Sequence, residues 1–364
     1  MKRRNFLSAL AAGGALVAAG CSKESKTSGS AAINANQTFK WSMATTWPKD
    51  FQAVGTGANY FAKLVEQMSN GRLLIKVYGA GEIVPALEVF DAVSQGTVEL
   101  GHGASYYWKG KMPVAPLFSA IPFGMTAAEI NGWIYHGGGL ALYEELYAPF
   151  NVKPMLGGNT GCQMAGWFKR DINSLNDIKG LKMRIPGIGG EVLARAGGEP
   201  VLIPGGEVFT ALQTGAIDAA EWIGPYNDLA FGLYKAAPNY YYPGWHEPGT
   251  ALEIVVNKQR FDELPQDLQV ILTTAAKAAN IDMYSEFTAR NHEALHTLVT
   301  EHAVKVKRLP DDVLALLKQH GEAIVAEVAA TDNISQRIYQ SCNTFKKSVK
   351  SWSDISELAF MQTR

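Results

Sequence analysis

The chain has 364 residues, of which 47% are hydrophobic and 18% are charged, and this composition excludes a disordered or fibrous protein. Its 33 Lys and Arg residues nearly balance its 34 Asp and Glu residues, so the net charge of -1 supplies no basic surface for a nucleic acid. No long apolar segment follows residue 20, which excludes an integral membrane protein, and the length predicts two domains at roughly 150 residues per domain.

Residues 1–20 have the features of an export signal. A basic start is followed by an apolar segment at residues 6–19, which is too short for a stable transmembrane span. Residues 3–7 read Arg-Arg-Asn-Phe-Leu, a string typical of twin-arginine export. The sequence therefore predicts a protein that works outside the cytoplasm, in the periplasm.

The end of the signal and Cys21 together read Ala-Ala-Gly-Cys (18–21), which is similar to a lipobox, although Ala18 stands where that motif usually has Leu. Two interpretations stay open: a lipid anchor on Cys21, or a plain cleaved signal. Residues 21–37 are mostly Ser, Lys, Ala, Asn and Gly, which predicts a flexible tether before the fold.

The fold is expected to open with a strand at residues 39–43 and a helix at residues 56–69, whose apolar side chains have helical spacing. Gly71 should end this helix, and residues 73–78 read as the next strand. A β-α-β order is typical of a parallel sheet covered by helices, so we predict an α/β fold.

A twelve-residue pattern occurs twice in the chain, at residues 88–99 and 207–218, with Glu, Val, Phe, Ala and Gly at equivalent positions. Each copy predicts a short helix, a capping glycine (Gly96 or Gly215) and a strand. Each copy also follows a basic, apolar strand and a Gly-rich loop, at residues 76–81 and 182–190. The repeat predicts two similar α/β lobes with a cleft between them.

The chain is expected to divide into lobe I at 38–157 with 251–330 returning to it, lobe II at 158–250, and a C-terminal helical extension at 331–364. Residues 251–257 should form the returning strand, and nearly everything after Leu264 predicts helix, with a break at 308–310. This is more helix than one lobe needs. The C-terminal helices should therefore either brace both lobes or pack on another subunit.

Three cysteines are a poor basis for a disulfide framework. Cys162 is predicted in a buried strand and Cys342 in a helix, and we interpret both as free, small hydrophobic residues. An oxidising compartment would permit a bridge between them, which their spacing does not decide.

Ligands of open parallel α/β sheets bind beyond the carboxyl ends of the strands. Arg184 stands at such a strand end, and its planar guanidinium matches a carboxylate with two parallel hydrogen bonds. Aromatic residues follow other strand ends, and of these Tyr107 and Trp222 are expected to touch a small ligand.

Glu221 and Glu247 lie among Trp, Gly, Tyr and Pro residues, an unusual neighbourhood for a solvated acid. Two buried carboxylates against Arg184 alone would leave surplus negative charge. A bound cation held by both acids and by the amide oxygen of Gln163 would balance it. The alternative, that each acid pairs with another Lys or Arg, stays open.

Residues 292–296 read His-Glu-Ala-Leu-His, the H-E-x-x-H pattern of zinc hydrolases, and His302 falls where metzincins place their third ligand. The wider motif of that class needs Gly where this chain has Val299, so the helix should continue and direct His302 away. A secreted zinc hydrolase that uses His292, Glu293 and His296 is the alternative from a different functional class.

The export signal, the two lobes and the stretch Glu-Val-Phe-Thr-Ala-Leu-Gln-Thr-Gly-Ala-Ile-Asp-Ala-Ala-Glu-Trp at residues 207–222 together resemble the solute-binding subunits of TRAP (tripartite ATP-independent periplasmic) transporters. The resemblance covers residues 38–345 and is strongest to the branch that binds 2-oxo acids or lactate. It implies a two-lobed fold of the periplasmic-binding-protein kind, no enzymatic activity, and delivery of a small carboxylate to TRAP membrane subunits.

The same resemblance implies a monocarboxylate bound together with sodium or calcium. Arg184 would bind the substrate carboxylate, and Tyr107 and Asn159 would donate hydrogen bonds to the substrate. The cation would lie among Gln163, Glu221, Glu247 and the backbone oxygen of Trp222. The branch also implies a homodimer formed through the C-terminal helices. A binding protein for a C4-dicarboxylate or sialic acid is the nearest alternative.

Overall fold

The structure is a computed structural model and describes residues 37–364. The predicted export signal at residues 1–20, Cys21 and the tether up to residue 36 lie outside the described residues. None of the helices in the described part is long and apolar enough to cross a membrane.

The described strands, in chain order, are β1 (Phe39–Thr45), β2 (Leu73–Tyr78), β3 (Leu100–Gly103), β4 (Val152–Asn159), β5 (Gly166–Phe168), β6 (Lys182–Arg184), β7 (Glu199–Val201), β8 (Ala219–Ala220), β9 (Asn239–Tyr242), β10 (Ala251–Asn257) and β11 (Lys305–Arg308). The α-helices are α1 (Val54–Met68), α2 (Val89–Ser94), α3 (Ala127–His136), α4 (Gly139–Tyr147), α5 (Gly187–Arg195), α6 (Gly205–Thr214), α7 (Pro225–Phe231), α8 (Lys258–Asp262), α9 (Gln266–Thr300), α10 (Asp311–Ala329), α11 (Asn333–Ser353) and α12 (Ala359–Met361).

The predicted β-α-β start is confirmed by β1, α1 and β2. Helix α1 forms because its apolar side chains share one face, on which Phe61 and Val65 are fully buried. Gly71 adopts a left-handed φ of 75° and donates its N–H to the carbonyl of Glu66 at 2.9 Å, which turns the chain out of the helix and into β2.

Two sheets form the framework. The first has the order β2-β1-β3-β10-β4, with β1 parallel to β2 and β3, and with β10 antiparallel to β3 and β4. The second has the order β11-β9-β5-β8-β6-β7, with β6 parallel to β7 and β8. The units β2-β1-β3 and β7-β6-β8 share one strand order, which confirms the prediction of two similar α/β units.

The repeated helix-glycine-strand pattern is confirmed. Helices α2 and α6 are followed by Gly96 and Gly215, with φ of 74° and 82°, and then by β3 and β8. The prediction that the strand at residues 76–81 corresponds to the strand at residues 182–190 is wrong, however. Strand β6, at 182–184, occupies the position of β1, and the counterpart of β2 is β7. Strand β7 reads Glu-Pro-Val, and all three residues are exposed. Its sequence therefore has no alternation of buried apolar and exposed polar residues by which a strand could be predicted.

The segment 251–330, which was predicted to return to the first lobe, contributes elements to both sheets. Strand β10 belongs to the first sheet, but β11 pairs in parallel with β9 of the second sheet, and α10 packs on α5. Strand β11 reads Lys-Val-Lys-Arg at a sheet edge, where charged side chains are common and an apolar signature is absent. Because α11 packs on α3 and α4 of the first lobe, the C-terminal helices contact both lobes.

Within the described residues, Cys162 and Cys342 are both free. Cys342 is buried in α11, as predicted. The prediction for Cys162 is wrong, because this residue is exposed in the loop after β4. Strand β4 ends at Asn159, and Gly161 then adopts a left-handed φ of 70°, which takes the chain away from the sheet.

Glu253 is a fully buried acid in β10 whose carboxylate accepts hydrogen bonds from the indole of Trp108 and the hydroxyls of Tyr143 and Tyr147. Burial raises its pKa from 4.5 to about 7, although the three donors act in the opposite direction. Folding therefore favours the protonated acid. This contribution to stability is complete below pH 4.5 and is lost as the pH rises through 7.

We expect the free energy of unfolding to decrease between pH 5 and pH 8, with Glu253 contributing at most about 3 kcal/mol of that decrease. The variant Glu253→Gln should show a smaller decrease. Part of the decrease should remain, because burial also raises the pKa of Asp228 to about 7. Urea unfolding across this pH range measures the effect, with exposed Glu88→Gln as the control. An unchanged pH dependence in Glu253→Gln would contradict the prediction.

Candidate functional site

Arg184 and Glu221 meet because their strands are neighbours. Arg184 is the last residue of β6 and pairs in register with Ala220 of β8, so Glu221 follows directly at the same sheet edge. The guanidinium forms an ion pair with the Glu221 carboxylate and also donates to the Glu221 carbonyl at 3.1 Å. Both side chains are only 1% exposed. The predicted convergence of Arg184 and Glu221 is therefore present.

The first lobe contributes Tyr107 to this group. Tyr107 lies in a short helical turn, Ser105–Trp108, directly after β3, and its hydroxyl lies 3.4 Å from Nη2 of Arg184. The guanidinium carbon also stands 5.1 Å from the ring centre of Trp222. Arg184 is thus contacted by aromatic residues of both lobes, so this site lies between them.

Gln163 and Glu247 form the second part of the site. The Gln163 amide nitrogen donates to the Glu247 carboxylate at 2.8 Å and to the hydroxyls of Thr160 and Thr250, both at 3.1 Å. The Thr250 hydroxyl donates to the same carboxylate at 2.6 Å. The amide oxygen of Gln163 is buried and has no hydrogen-bond partner. A hard oxygen ligand is therefore available here.

His246 joins the two parts and was missed as a site residue in the sequence. Its Nε2 lies 3.2 Å from the Glu221 carboxylate, and its buried Nδ1 has no partner. Ligand atoms of Glu221, His246 and Glu247 all lie within 4.8 Å of one another. The sequence Trp-His-Glu at residues 245–247, shortly after β9, could have indicated His246, but the sequence analysis assigned a site role only to Glu247.

The electrostatics of the site are unbalanced. Burial, followed by the charge of Glu221, raises the pKa of Glu247 to about 7. Burial alone would lower the pKa of Arg184, but the nearby negative charge of Glu221 raises it, so the guanidinium stays charged. Among the described residues no Lys or Arg forms an ion pair with Glu247, which argues against the alternative that each acid has its own cationic partner.

These residues fit a hard cation. Two carboxylates and the unpartnered amide oxygen of Gln163 are oxygen ligands of the kind that sodium and calcium prefer. A bound cation would neutralise the surplus negative charge beside Arg184.

Asn159 lies at the end of β4, as predicted, but its contacts are with neighbouring backbone. Its amide nitrogen donates to the carbonyl of Gly249 at 3.3 Å, and its oxygen accepts from the N–H of Gly161 at 2.8 Å. Asn159 therefore joins the loop that carries Gln163 to the loop that carries Glu247 and Thr250.

The H-E-x-x-H segment forms no comparable cluster. His292 and His296 are exposed on α9, and Glu293 pairs with Arg290 at 3.0 Å. Within residues 37–364, the group of three metal-ligating side chains is the one at Glu221, and His302 instead stacks on Tyr234 with ring centres 4.0 Å apart. The structure gives the zinc hydrolase alternative no support.

A family model described as bacterial extracellular solute-binding protein, family 7 (DctP), matches residues 43–332. The chain is 43% identical over 362 residues to a monocarboxylate 2-oxoacid-binding periplasmic protein of Nostoc sp., an alignment that covers 99% of this chain and 98% of that protein.

Two solved structures are similar throughout. They are TRAP periplasmic solute-binding proteins from Pseudoalteromonas atlantica, with bound sodium and pyruvate, and from Colwellia psychrerythraea, with bound calcium and pyruvate. Each is 43% identical with a TM-score of 0.88, and each alignment covers 90% of this chain and 100% of the other. The predicted α/β fold is thereby confirmed.

The ion pair of Arg184 and Glu221 leads to a prediction about stability. Each single variant, Arg184→Met or Glu221→Met, leaves one buried charge without its partner and should lower the free energy of unfolding by about 3–5 kcal/mol. The double variant removes both charges and should lose clearly less than the sum of the two. Urea unfolding of the four proteins measures this coupling, and additive losses would show that the pair contributes no net interaction.

Proposed function

The chain belongs to the DctP family, family 7 of the bacterial extracellular solute-binding proteins, and we propose that it captures a small 2-oxo monocarboxylate such as pyruvate together with sodium or calcium. Membership makes it a periplasmic solute-binding protein for transport and not an enzyme, in agreement with the sequence analysis. The bound pyruvate and cation in the two similar structures support this ligand class for the present chain.

The observation that carries the proposal is the buried Arg184 between the lobes. Glu221 engages Nη1, whereas Nη2 has only the long contact with the Tyr107 hydroxyl. A ligand carboxylate beside Nη2 would gain a charge-assisted hydrogen bond in a site from which water is largely excluded. Tyr107 stays a neutral donor because burial raises the pKa of its phenol.

The cation is proposed to lie among Gln163, Glu221, Glu247 and the backbone oxygen of Trp222. The free amide oxygen of Gln163 and the surplus negative charge of the two acids support this assignment. A bound cation would compensate the negative charge of Glu221 and Glu247, so that an anionic ligand would no longer be repelled by it. The carboxylate and the cation should therefore bind cooperatively.

Asn159 and Trp222 complete the proposed substrate contacts. Asn159 uses one of its two amide hydrogens for Gly249, so the second remains for a ligand oxygen. The indole N–H of Trp222 is buried and has no partner in the described residues, and it would be satisfied by an oxygen of the ligand.

Capture is proposed to occur by closure of the lobes, since Arg184 and Trp222 belong to the second lobe and Tyr107 to the first. The loaded protein would then deliver its ligand to TRAP membrane subunits. Twin-arginine export and a lipid anchor on Cys21 complete this proposal and rest on the sequence motifs alone.

A homodimer is proposed through the C-terminal end of the chain. Large apolar side chains cluster there and are between 48% and 74% exposed: Trp352, Ile355, Leu358, Phe360 and Met361. Large exposed apolar side chains within one short segment are typical of interaction surfaces, and a second copy of the chain is the occupant that the family resemblance favours.

Calorimetric titration of the purified protein with pyruvate, in sodium, in calcium and in a large organic cation, tests the ligand. We expect binding only with sodium or calcium. Arg184→Lys should bind about 30- to 1000-fold more weakly, because lysine does not reproduce the planar fork of donors. Surface variant Arg195→Lys, which changes an exposed ion pair with Glu327, is the matched control.

Tighter binding of a C4-dicarboxylate or sialic acid than of any 2-oxo acid would overturn the proposed ligand class. Cation-independent binding of pyruvate would overturn the cation site. The variant Gln163→Met, which removes the free oxygen at similar side-chain length, should need a higher cation concentration for the same affinity.

The dimer is tested with the double variant Ile355→Ser/Phe360→Ser. Native mass spectrometry should show a dimer for the unmodified sequence and a monomer for the variant, because the apolar contact area is lost. Pyruvate affinity should stay unchanged. Leu202→Ser, which alters an exposed apolar residue elsewhere, is the control, and a wild-type monomer at micromolar concentration would contradict the proposal.

A further inference from the structure

Trp47 is a buried residue of the first lobe whose indole N–H and backbone carbonyl are both hydrogen-bonded. Its indole N–H donates to Nδ1 of His102 at 2.7 Å. Its carbonyl accepts from the N–H of Ala80 at 2.8 Å and from the hydroxyl of Thr45 at 3.0 Å. The indole bond orients the ring, the two bonds to the carbonyl hold the backbone, and only 2% of the residue's surface is exposed.

The ring of Trp47 faces the two aromatic residues beside Arg184. Its centre lies 6.2 Å from the ring of Tyr107 and 6.1 Å from the ring of Trp222, the latter in an edge-to-face arrangement. Tyr107 and Trp222 both contact the guanidinium. The rings of Trp47, Tyr107 and Trp222 therefore form one apolar surface next to Arg184, which we call the aromatic wall.

The ring of Trp222 has little freedom to move away from the rings of Trp47 and Tyr107. Its ring lies so close to Gly205 that a Cβ there would stand 2.2 Å from its Cη2 atom. The ring also packs edge-to-face against Phe51 and Phe231, which stack on each other at 4.3 Å. The aromatic wall is therefore supported on both lobes.

The chemistry of a 2-oxo acid decides which of its parts meets this surface. Its carboxylate and oxo oxygens would be bound by Arg184 and by the cation proposed among Glu221, Glu247 and Gln163. The substituent on the oxo carbon is the apolar part of the ligand, and the aromatic wall is the apolar surface beside Arg184. A rigid wall sets the length of substituent that the closed site accepts.

We infer that the aromatic wall limits the ligand to 2-oxo monocarboxylates with a short substituent, and that His102 is the positioning residue that holds Trp47 in place for this selection. This inference rests on the proposed function and extends it from a ligand class to a size limit.

His102 is suited to this role because it remains neutral. Burial lowers its pKa to about 4, so at neutral pH Nδ1 is free to accept from Trp47, while Nε2 carries the hydrogen that points to the carbonyl of Gly157 at 3.3 Å. This tautomer is assigned from the two hydrogen bonds. His102 thus links the wall to β4, whose end carries Asn159.

The test is the ratio of dissociation constants for 4-methyl-2-oxopentanoate and pyruvate, measured by calorimetry with sodium or calcium present. The unmodified protein should prefer pyruvate by more than about 10-fold. Trp47→Ala should reduce or reverse that preference by about 10- to 100-fold, since the longer substituent gains space. Trp47→Phe, which keeps an aromatic ring of smaller size, should change it less and serves where the alanine variant is poorly folded.

His102 is tested by a conservative pair. In His102→Asn the amide oxygen stands where Nδ1 stood, so Trp47 keeps its acceptor and the ratio should stay close to the original. In His102→Leu the acceptor is lost, and the ratio should move in the direction of Trp47→Ala. Trp133→Ala removes a buried tryptophan that stacks on Phe118 and donates to Ser341 of α11, outside the aromatic wall, and it controls for general destabilisation.

The outcomes separate the two proposals. If no 2-oxo acid binds the unmodified protein, the proposed function fails, and the size limit fails with it. If pyruvate binds but the longer acid binds equally well, or if the ratio is unchanged in both Trp47 variants, only the size limit is overturned. If His102→Leu and His102→Asn behave alike, the positioning role of His102 is overturned.

Discussion

The buried ion pair of Arg184 and Glu221 is the interaction on which the organisation of the site depends. A guanidinium almost without solvent requires a partner, and the pairing of β6 with β8 places that partner one residue beyond the adjacent strand. Glu221 also faces His246, while Glu247 is held only by neutral donors. The second acid therefore leaves a surplus of negative charge beside a permanently charged arginine. A site with this balance accepts an anion readily only when a cation is present as well.

The strand topology determines which site residues each lobe contributes. The second lobe supplies the charged residues at the ends of β6 and β8, and the first supplies Tyr107 and Trp47 after β3 and β1. Loops that leave the first sheet at Asn159 and return to it at β10 carry Gln163 and Glu247 between them. A ligand that needs groups from all of these segments stabilises the arrangement in which the lobes are together. In the proposed mechanism, recognition and closure therefore use the same set of contacts.

Buried acids elsewhere in the molecule show what distinguishes the site. Glu253 and Asp228 are as deeply buried, but each is surrounded by tryptophan and tyrosine donors that satisfy it. Around Glu221 and Glu247, in contrast, several polar atoms lack partners: the amide oxygen of Gln163, Nδ1 of His246 and the indole nitrogen of Trp222. Saturated acids stabilise a lobe, whereas polar atoms left without partners in one crevice indicate groups kept for a ligand and an ion.

Local features of this protein were determined by the sequence itself. The apolar spacing of α1, the strand β2 and the glycines after α2 and α6 depend on nearby residues, and so they were predictable, as were Arg184 and Glu221 at strand ends. The tertiary structure alone decided the rest. The edge strands β7 and β11 are short and exposed, and they exist because a partner strand satisfies their backbone. The roles of His246 and of the His102–Trp47 contact arise from residues that are distant along the chain and meet only after folding. The spacing of residues in a sequence shows which side chains lie on the same face of one helix or strand. It does not show which loops meet across a cleft.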